Sequence, residues 1–187
     1  MAATDEVFSD AEHRMQQAVE SLRQELTSLR TGRASTSLVE RLQVEYYGAP
    51  TPLLQMAGIH VTDARTITIQ PYDRKVLGDI EKAIQKSDLG LNPTNDGNVL
   101  RITIPPLTEE RRKDLVKVLH KKVDESKIAV RNVRRDAHDK LREQEKAKTL
   151  SEDDLKRSTE RLQKMTDKYT DELDKVGQTK EHEILEV

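Results

Sequence analysis

The sequence predicts an α+β fold: an elongated three-helix bundle interrupted by a small inserted β/α domain. Three observations support this. Apolar residues recur at helical spacing near both ends of the 187-residue chain. Residues 107–176 contain no Gly or Pro to break a helix. Between these parts the pattern changes to strict alternation, the period of half-buried strands.

The first helix spans about residues 5–30. Phe8, Met15, Leu22 and Leu29 recur every seven residues, Ala11 and Ala18 fill intermediate positions, and Val19 and Leu26 widen the stripe. Gly32 is expected to end this helix as its C′ residue, where φ > 0 is required. Leu42, Val44 and Tyr46 then alternate with Gln43, Glu45 and Tyr47; Ile67 and Ile69 with Thr66, Thr68 and Gln70; and Leu100, Ile102 and Ile104 with Arg101 and Thr103. APTP at 49–52 marks a turn, and LGLNPTNDGN at 89–98 is rich in turn formers. The segment 73–88 places Val76, Leu77, Ile80, Ala83 and Ile84 on one helical face.

Pro105 and Pro106 stop the last strand. Thr108 is the expected N-cap of a helix of about 38 residues, roughly 57 Å at 1.5 Å per residue. Its seam is Leu115, Leu119, Val123, Ser126, Val130, Val133, Ala137 and Leu141. Ser151 with Asp154 starts the last helix in the manner of a capping box. Leu155, Leu162, Tyr169 and Val176 then recur every seven residues, assisted by Met165 and Leu173.

One amphipathic helix cannot bury its stripe alone, whereas three can. The bundle is therefore assigned to residues 1–31 and 106–187, with 32–105 inserted as a head. The chain crosses between them at Arg30, Thr31, Gly32 and Arg33, and again at Ile104, Pro105 and Pro106. Two crossings allow rocking but restrain free tumbling, so these residues are the expected hinge.

Composition narrows the function. Hydrophobic residues are 34% and charged residues 35%, a balance suited to long thin helices. There is no Cys, which excludes disulfides, thiolate nucleophiles and Cys-based zinc sites. The N-terminus resembles neither a signal nor a transit peptide, and no apolar run reaches the roughly 20 residues of a membrane span. The five histidines lack metal-site spacing, and there is no phosphate loop, dinucleotide fingerprint or nucleophile elbow. No catalytic residue, cofactor or metal is expected, and EHE at 181–183 reads as a frayed polar end.

Charge is the informative feature. The formal net charge is −2, yet residues 108–148 carry 14 basic and 9 acidic side chains, while residues 1–30 and 149–187 are net acidic. Within 108–148, Lys113, Lys117, His120, Asp124, Lys127, Arg131, Arg134 and His138 repeat at 3/4 spacing, about 100° around the helix from the seam. Arg135 lies near this stripe. It reads either as a solvated helix face or as a ribbon contacting phosphates, for which arginine forks are well matched. Tyr46 and Tyr47 could stack on bases or be structural. TGRAS could hold an anion through Arg33 or serve only as cap and hinge.

Five stretches, LRTGRAS (29–35), VEYYGAPTPL (44–53), SDLGLNPTNDG (87–97), PPLTEERRKDL (105–115) and AVRNVRRDA (129–137), give the chain an almost end-to-end resemblance to the ribosome recycling factor family. The resemblance implies an L-shaped two-domain arrangement. It also implies a non-enzymatic, monomeric cytoplasmic factor that binds the bacterial-type ribosome after termination. With elongation factor G as the GTPase partner, such a factor splits the subunits for reuse. The implied contact is large-subunit ribosomal RNA, through Arg131 and Arg134 of the VRNVRRD segment, with Arg135, Lys127 and Lys117 as further candidates on the same stripe. The hinge would let the head swing. The competing readings are a coiled-coil adaptor, which would self-associate and ignore ribosomes, and an RNA-binding helical arm of a larger enzyme.

Overall fold

The computed structural model describes residues 2–29 and 31–186. They fall into two compact units: residues 2–29 with 109–186, and residues 31–108.

The first unit is a three-helix bundle of α1 (Ala2–Thr27), α4 (Glu109–Lys146) and α5 (Glu152–Leu185). From α1 it buries Phe8, Ala11, Met15, Val19, Leu22 and Leu26. The α4 seam buries Leu115, Leu119, Val123, Val130, Val133, Ala137 and Leu141, each fully buried Leu or Val contributing about 1.5–3 kcal/mol. Ser126 is half-buried on this seam and donates its hydroxyl back to the Lys122 carbonyl at 3.0 Å. Phe8 lies 4.1 Å beneath the Arg161 guanidinium, and the Tyr169 hydroxyl donates to Glu12 Oε1 at 3.2 Å. The buried rings of α1 and α5 are thus each sealed by a polar partner from the other helix.

Two expectations for the bundle are corrected. Helix α1 stops at Thr27, so Gly32 does not cap it. The Thr27 and Ser28 hydroxyls donate to the carbonyls of Gln24 and Glu25 at 2.5 and 2.6 Å. The Ser28 and Leu29 amides tighten to i−3 bonds. Local side-chain bonding thus satisfies the end of the helix well before the glycine. On α5, Leu155 and Val176 are only half-buried, and the seam runs through Ser158, Leu162, Thr166, Tyr169, Leu173, Gly177 and Ile184. A strict seven-residue repeat drifts by about 20° per heptad on a straight helix. Over three heptads that turns Leu155 and Val176 toward opposite edges, and steps of four bring small residues inward. Thr166 tolerates burial because its hydroxyl donates to the Leu162 carbonyl at 2.8 Å. Ser151 caps α5 as expected, accepting from the Asp154 amide at 3.1 Å while donating to its carboxylate at 2.8 Å.

The second unit contains β1 (Gln43–Tyr46), β2 (Ala49–Pro52), the one-turn α2 (Leu53–Met56), β3 (Ala57–Asp63), β4 (Thr66–Pro71), α3 (Leu77–Lys86), β5 (Pro93–Asn95) and β6 (Leu100–Thr103). Strands β1 and β2 form one antiparallel pair; the other four form an antiparallel sheet in the order β3-β4-β6-β5. Val44, Ile67, Ile69, Leu100 and Ile102 point into one core with Val76, Leu77, Ile80 and Ile84, so the α3 face read from spacing covers this core.

APTP is not a turn but β2, with Tyr46 opposite Ala49. The turn lies just before it, at Tyr47 and Gly48, with φ of 48° and 81°. Two successive positive φ values make the type I′ connection that suits hairpin twist. Pro50 and Pro52 are accommodated because β2 is an edge strand. Strands β3 and β5 have no clear sequence signal. Both are sheet edges with largely exposed residues, so neither alternation nor burial marks them.

Candidate nucleic-acid interface

Helix α4 positions the basic stripe by its pitch alone, but the individual side chains are not equivalent. Lys127 Nζ pairs with Asp174 of α5, and its side chain is 23% exposed. His120 Nε2 lies 3.1 Å from Glu181 Oε2. Arg134 is half-buried, and its Nη1 donates to Gln163 Oε1 at 2.9 Å. Lys113 pairs along its own helix with Glu109. Lys117, Arg131 and Arg135 are exposed and make no ion pair or hydrogen bond with a described residue. Arg142, seven residues beyond Arg135, continues the exposed line. That spacing was legible, and the sequence reading omitted it.

The structure therefore divides the predicted set. Lys117, Arg131 and Arg135 keep uncompensated charge on the solvent side of α4. Lys127 is spent within the bundle, its charge opposed by Asp174. Arg134 stands between these cases, oriented by a neutral amide. A shallow depression along the α4–α5 groove is lined by Lys127, Arg131, Arg134, Gln163, Asp167 and Asp174. Its acidic side belongs to α5, whereas the exposed arginines face outward from α4.

On the opposite side of α4 the cations are also paired. Lys122 meets Glu25 at 2.9 Å, and Lys140 meets Asp10 at 3.3 Å. Arg14 of α1 meets Asp136 at 2.9 Å. Charges facing α1 thus stitch the bundle, and the outward α4 face is where positive charge remains available to a partner. The α5 residues Gln163 and Asp174 were not found from sequence, because their role depends on interhelix register, and Glu181, expected in a frayed end, lies within α5 facing His120.

Of the expected hinge residues, Arg30 lies outside the described residues. Thr31 and Gly32 are buried, Arg33, Pro105 and Pro106 are exposed, and Ile104 is buried. The two crossings are packed together within their unit. A Cβ on Gly32 would lie 3.1 Å from Leu107 Cγ, and its φ is +78°. The Ala34 amide donates to the Ala64 carbonyl at 2.8 Å and the Ile104 amide to the Arg65 carbonyl at 2.7 Å, so both crossings bond to the same β3–β4 turn. Gly32 is needed here for backbone conformation and close approach, not as a helix cap. Gly32→Val is expected to destabilise this unit by about 1–3 kcal/mol, because a β-branched residue is strained at positive φ and crowds Leu107. Urea unfolding followed by tyrosine fluorescence in a Tyr169→Phe background, where the remaining tyrosines all lie in this unit, measures this; parent stability would refute it.

The tyrosine pair is divided in the same way. Tyr46 is half-buried, whereas Tyr47 is 79% exposed at the hairpin tip. Their rings meet edge-on at 4.6 Å. The Asp73 carboxylate near its hydroxyl holds the Tyr47 phenol above its ordinary pKa. Among the described residues, neither ring joins a larger array of stacking aromatics. Among the described residues, no group of three or more His, Asp or Glu is placed to hold a metal ion. No described helix is long and apolar enough to cross a membrane.

Comparison with known proteins gives this geometry a family. The family profile "Ribosome recycling factor" matches residues 22–185. The ribosome-recycling factor of Halalkalibacterium halodurans is 57% identical over 182 residues, covering 97% of this chain and 98% of that one. That of Lawsonia intracellularis is 55% identical over 183 residues, covering 98% and 97%. A solution structure of the ribosome recycling factor superposes with a TM-score of 0.74 at 49% identity, covering 98% of both chains. A second structure comprises models for the T. thermophilus ribosome recycling factor and the E. coli elongation factor G bound to the E. coli post-termination complex. Its matching chain gives a TM-score of 0.64 at 47% identity, covering 97% of this chain and 98% of that one. Profile, near-full-length identity and fold agree: the chain belongs to the ribosome recycling factor family.

Proposed function

We propose that this protein binds the post-termination ribosome and, with elongation factor G and GTP, splits it into subunits for reuse. The observation that supports this most strongly is identity of more than half along nearly the whole chain to ribosome-recycling factors. The related structure in which a recycling factor and elongation factor G are bound to the post-termination complex supports the same partners. The protein acts in the cytoplasm as a monomer. It contacts large-subunit ribosomal RNA through the outward face of α4, where Lys117, Arg131, Arg134 and Arg135 meet phosphates. Lys127 contributes to the bundle rather than to RNA, since the RNA would have to displace Asp174.

Contact through one basic face suits a factor that must bind in one pose and then leave. Phosphate contacts supply affinity without sequence information, so a uniformly basic chain would bind RNA everywhere. The two units act as domains that move about residues 31–33 and 104–106. Co-sedimentation with post-termination ribosomes, followed by a splitting assay with elongation factor G and GTP, tests the function. Absence of both activities would refute it.

Two outcomes follow. The purified chain alone should release no phosphate from GTP, because the nucleotide chemistry belongs to the partner; turnover without elongation factor G would refute the non-enzymatic role. An engineered disulfide joining the two units, simple to introduce in a chain with no native Cys, should preserve ribosome binding and abolish splitting. Normal splitting by the locked protein would remove domain motion from the mechanism.

A further inference from the structure

Arg134 is the one predicted RNA-facing arginine with a partner on another helix, and that partner is uncharged. Its Nη1 donates to Gln163 Oε1 at 2.9 Å. Gln163 is in turn fixed, since its Nε2 donates to Asp167 Oδ1 at 2.8 Å, one turn further along α5. The two bonds use the two ends of one amide. They allow only the orientation that presents the oxygen to the guanidinium. Lys127, two turns earlier on the same face of α4, shows the contrasting arrangement, in which a carboxylate takes the cation directly.

The difference matters chemically. A carboxylate at position 163 would grip Arg134 more strongly, but would cancel its charge and compete with a phosphate for the same N–H groups. A neutral acceptor uses one donor and leaves the positive charge and remaining donors available. Asp167 helps through the amide rather than by pairing with Arg134. Gln163 and Arg134 also both line the depression beside Arg131 and the neighbouring one beside Arg135. The oriented guanidinium therefore borders both depressions.

We propose that Gln163 is a positioning residue for RNA binding: it orients Arg134 toward a phosphate without neutralising it, with Asp167 holding the amide in place. This rests on the reading of Arg134 as an RNA contact, and the experiment separates the two. Purified large ribosomal subunits are titrated with the parent chain and with Gln163→Glu, Gln163→Ala, Arg134→Ala and the Gln163→Glu/Arg134→Ala double variant. The titrations are repeated across a salt series, with circular dichroism as the folding control.

Gln163→Glu should weaken binding about tenfold and make the log–log salt dependence shallower by roughly one, as if one phosphate contact were lost. Gln163→Ala adds no charge. It should weaken binding about threefold, the effect of unfixing one side chain, with the slope unchanged. In the Arg134→Ala background, Gln163→Glu should have little further effect. Parent-like binding by both Gln163 variants, while Arg134→Ala binds weakly, would overturn the positioning role alone. An effect of Gln163→Glu that persists undiminished without Arg134 would mean simple charge repulsion and would also overturn it. If Arg134→Ala binds like the parent, the RNA-contact reading of that residue fails and the inference falls with it.

Discussion

Replacing Arg131 and Arg134 together by alanine is expected to weaken large-subunit binding roughly 100-fold while the bundle stays folded. Each guanidinium can present paired N–H groups to phosphate oxygens, and a hydrogen bond to a charged group contributes about 1.5 kcal/mol or more. The two residues are three apart, so they project from adjacent turns of one α4 face. The cost to folding is small by comparison. Arg131 is exposed and makes no ion pair with a described residue, so its loss should lie within about 0.5 kcal/mol. Arg134 loses the bond to Gln163 and the cover its stem gives the groove beside Leu162, a cost of about 1 kcal/mol. The melting temperature should thus fall by only a few degrees. The salt dependence should become shallower by a log–log slope of roughly one to two. Lysine at both positions should restore only part of the affinity, because an ammonium keeps the charge but not the fork. Unchanged affinity and slope in a folded double variant would return this face of α4 to ordinary solvated surface.

The stripe itself could be read from sequence because a helix converts 3/4 spacing into a face without outside help. The α4 seam was legible for the same reason: seven of its eight expected residues are buried, and Ser126 is half-buried with its hydroxyl satisfied within the helix. The strands with inward Ile and Val were legible because one face of each is dry. Strands β3 and β5 were not, since edge strands take their pairing from a neighbour rather than from their own pattern. APTP was misread because two prolines resemble a turn, while the actual reversal uses the positive φ of Tyr47 and Gly48.

Partnership was the least legible level. Nothing local distinguishes Lys127, which is neutralised by Asp174, from Arg131, which is not. That difference depends on which residues of α5 lie opposite, and so on the drift that replaces Val176 with Gly177 in the seam. The same register explains why Gln163 could not be singled out as the neutral partner of Arg134.

Gly177 is where that register depends on a missing side chain. A Cβ built there would lie 2.8 Å from Val123 Cγ2 of α4. In isolation, Gly177→Ala should stabilise α5 by about 1 kcal/mol, because glycine is a poor helix former. The contact opposes this. Val123 is buried and its χ1 is confined to one well on a helix, so its methyl cannot swing aside cheaply. Relief requires α4 and α5 to separate, which loosens packing against their neighbours at a cost of about 1–3 kcal/mol. Gly177→Ala should therefore give a net loss of about 1 kcal/mol. Gly177→Leu, which gains a little less propensity and adds three more carbons at the same contact, should lose about 3 kcal/mol or more and lower the melting temperature by roughly 6–12 °C. The diagnostic result is the rescue. Val123→Ala alone removes buried methyl groups and destabilises, yet combined with Gly177→Ala it should recover stability, because the new methyl enters the space the old ones left. Thermal melts of the two single variants and the double close this cycle. Additive losses would show that the helices are not held at this distance by the glycine.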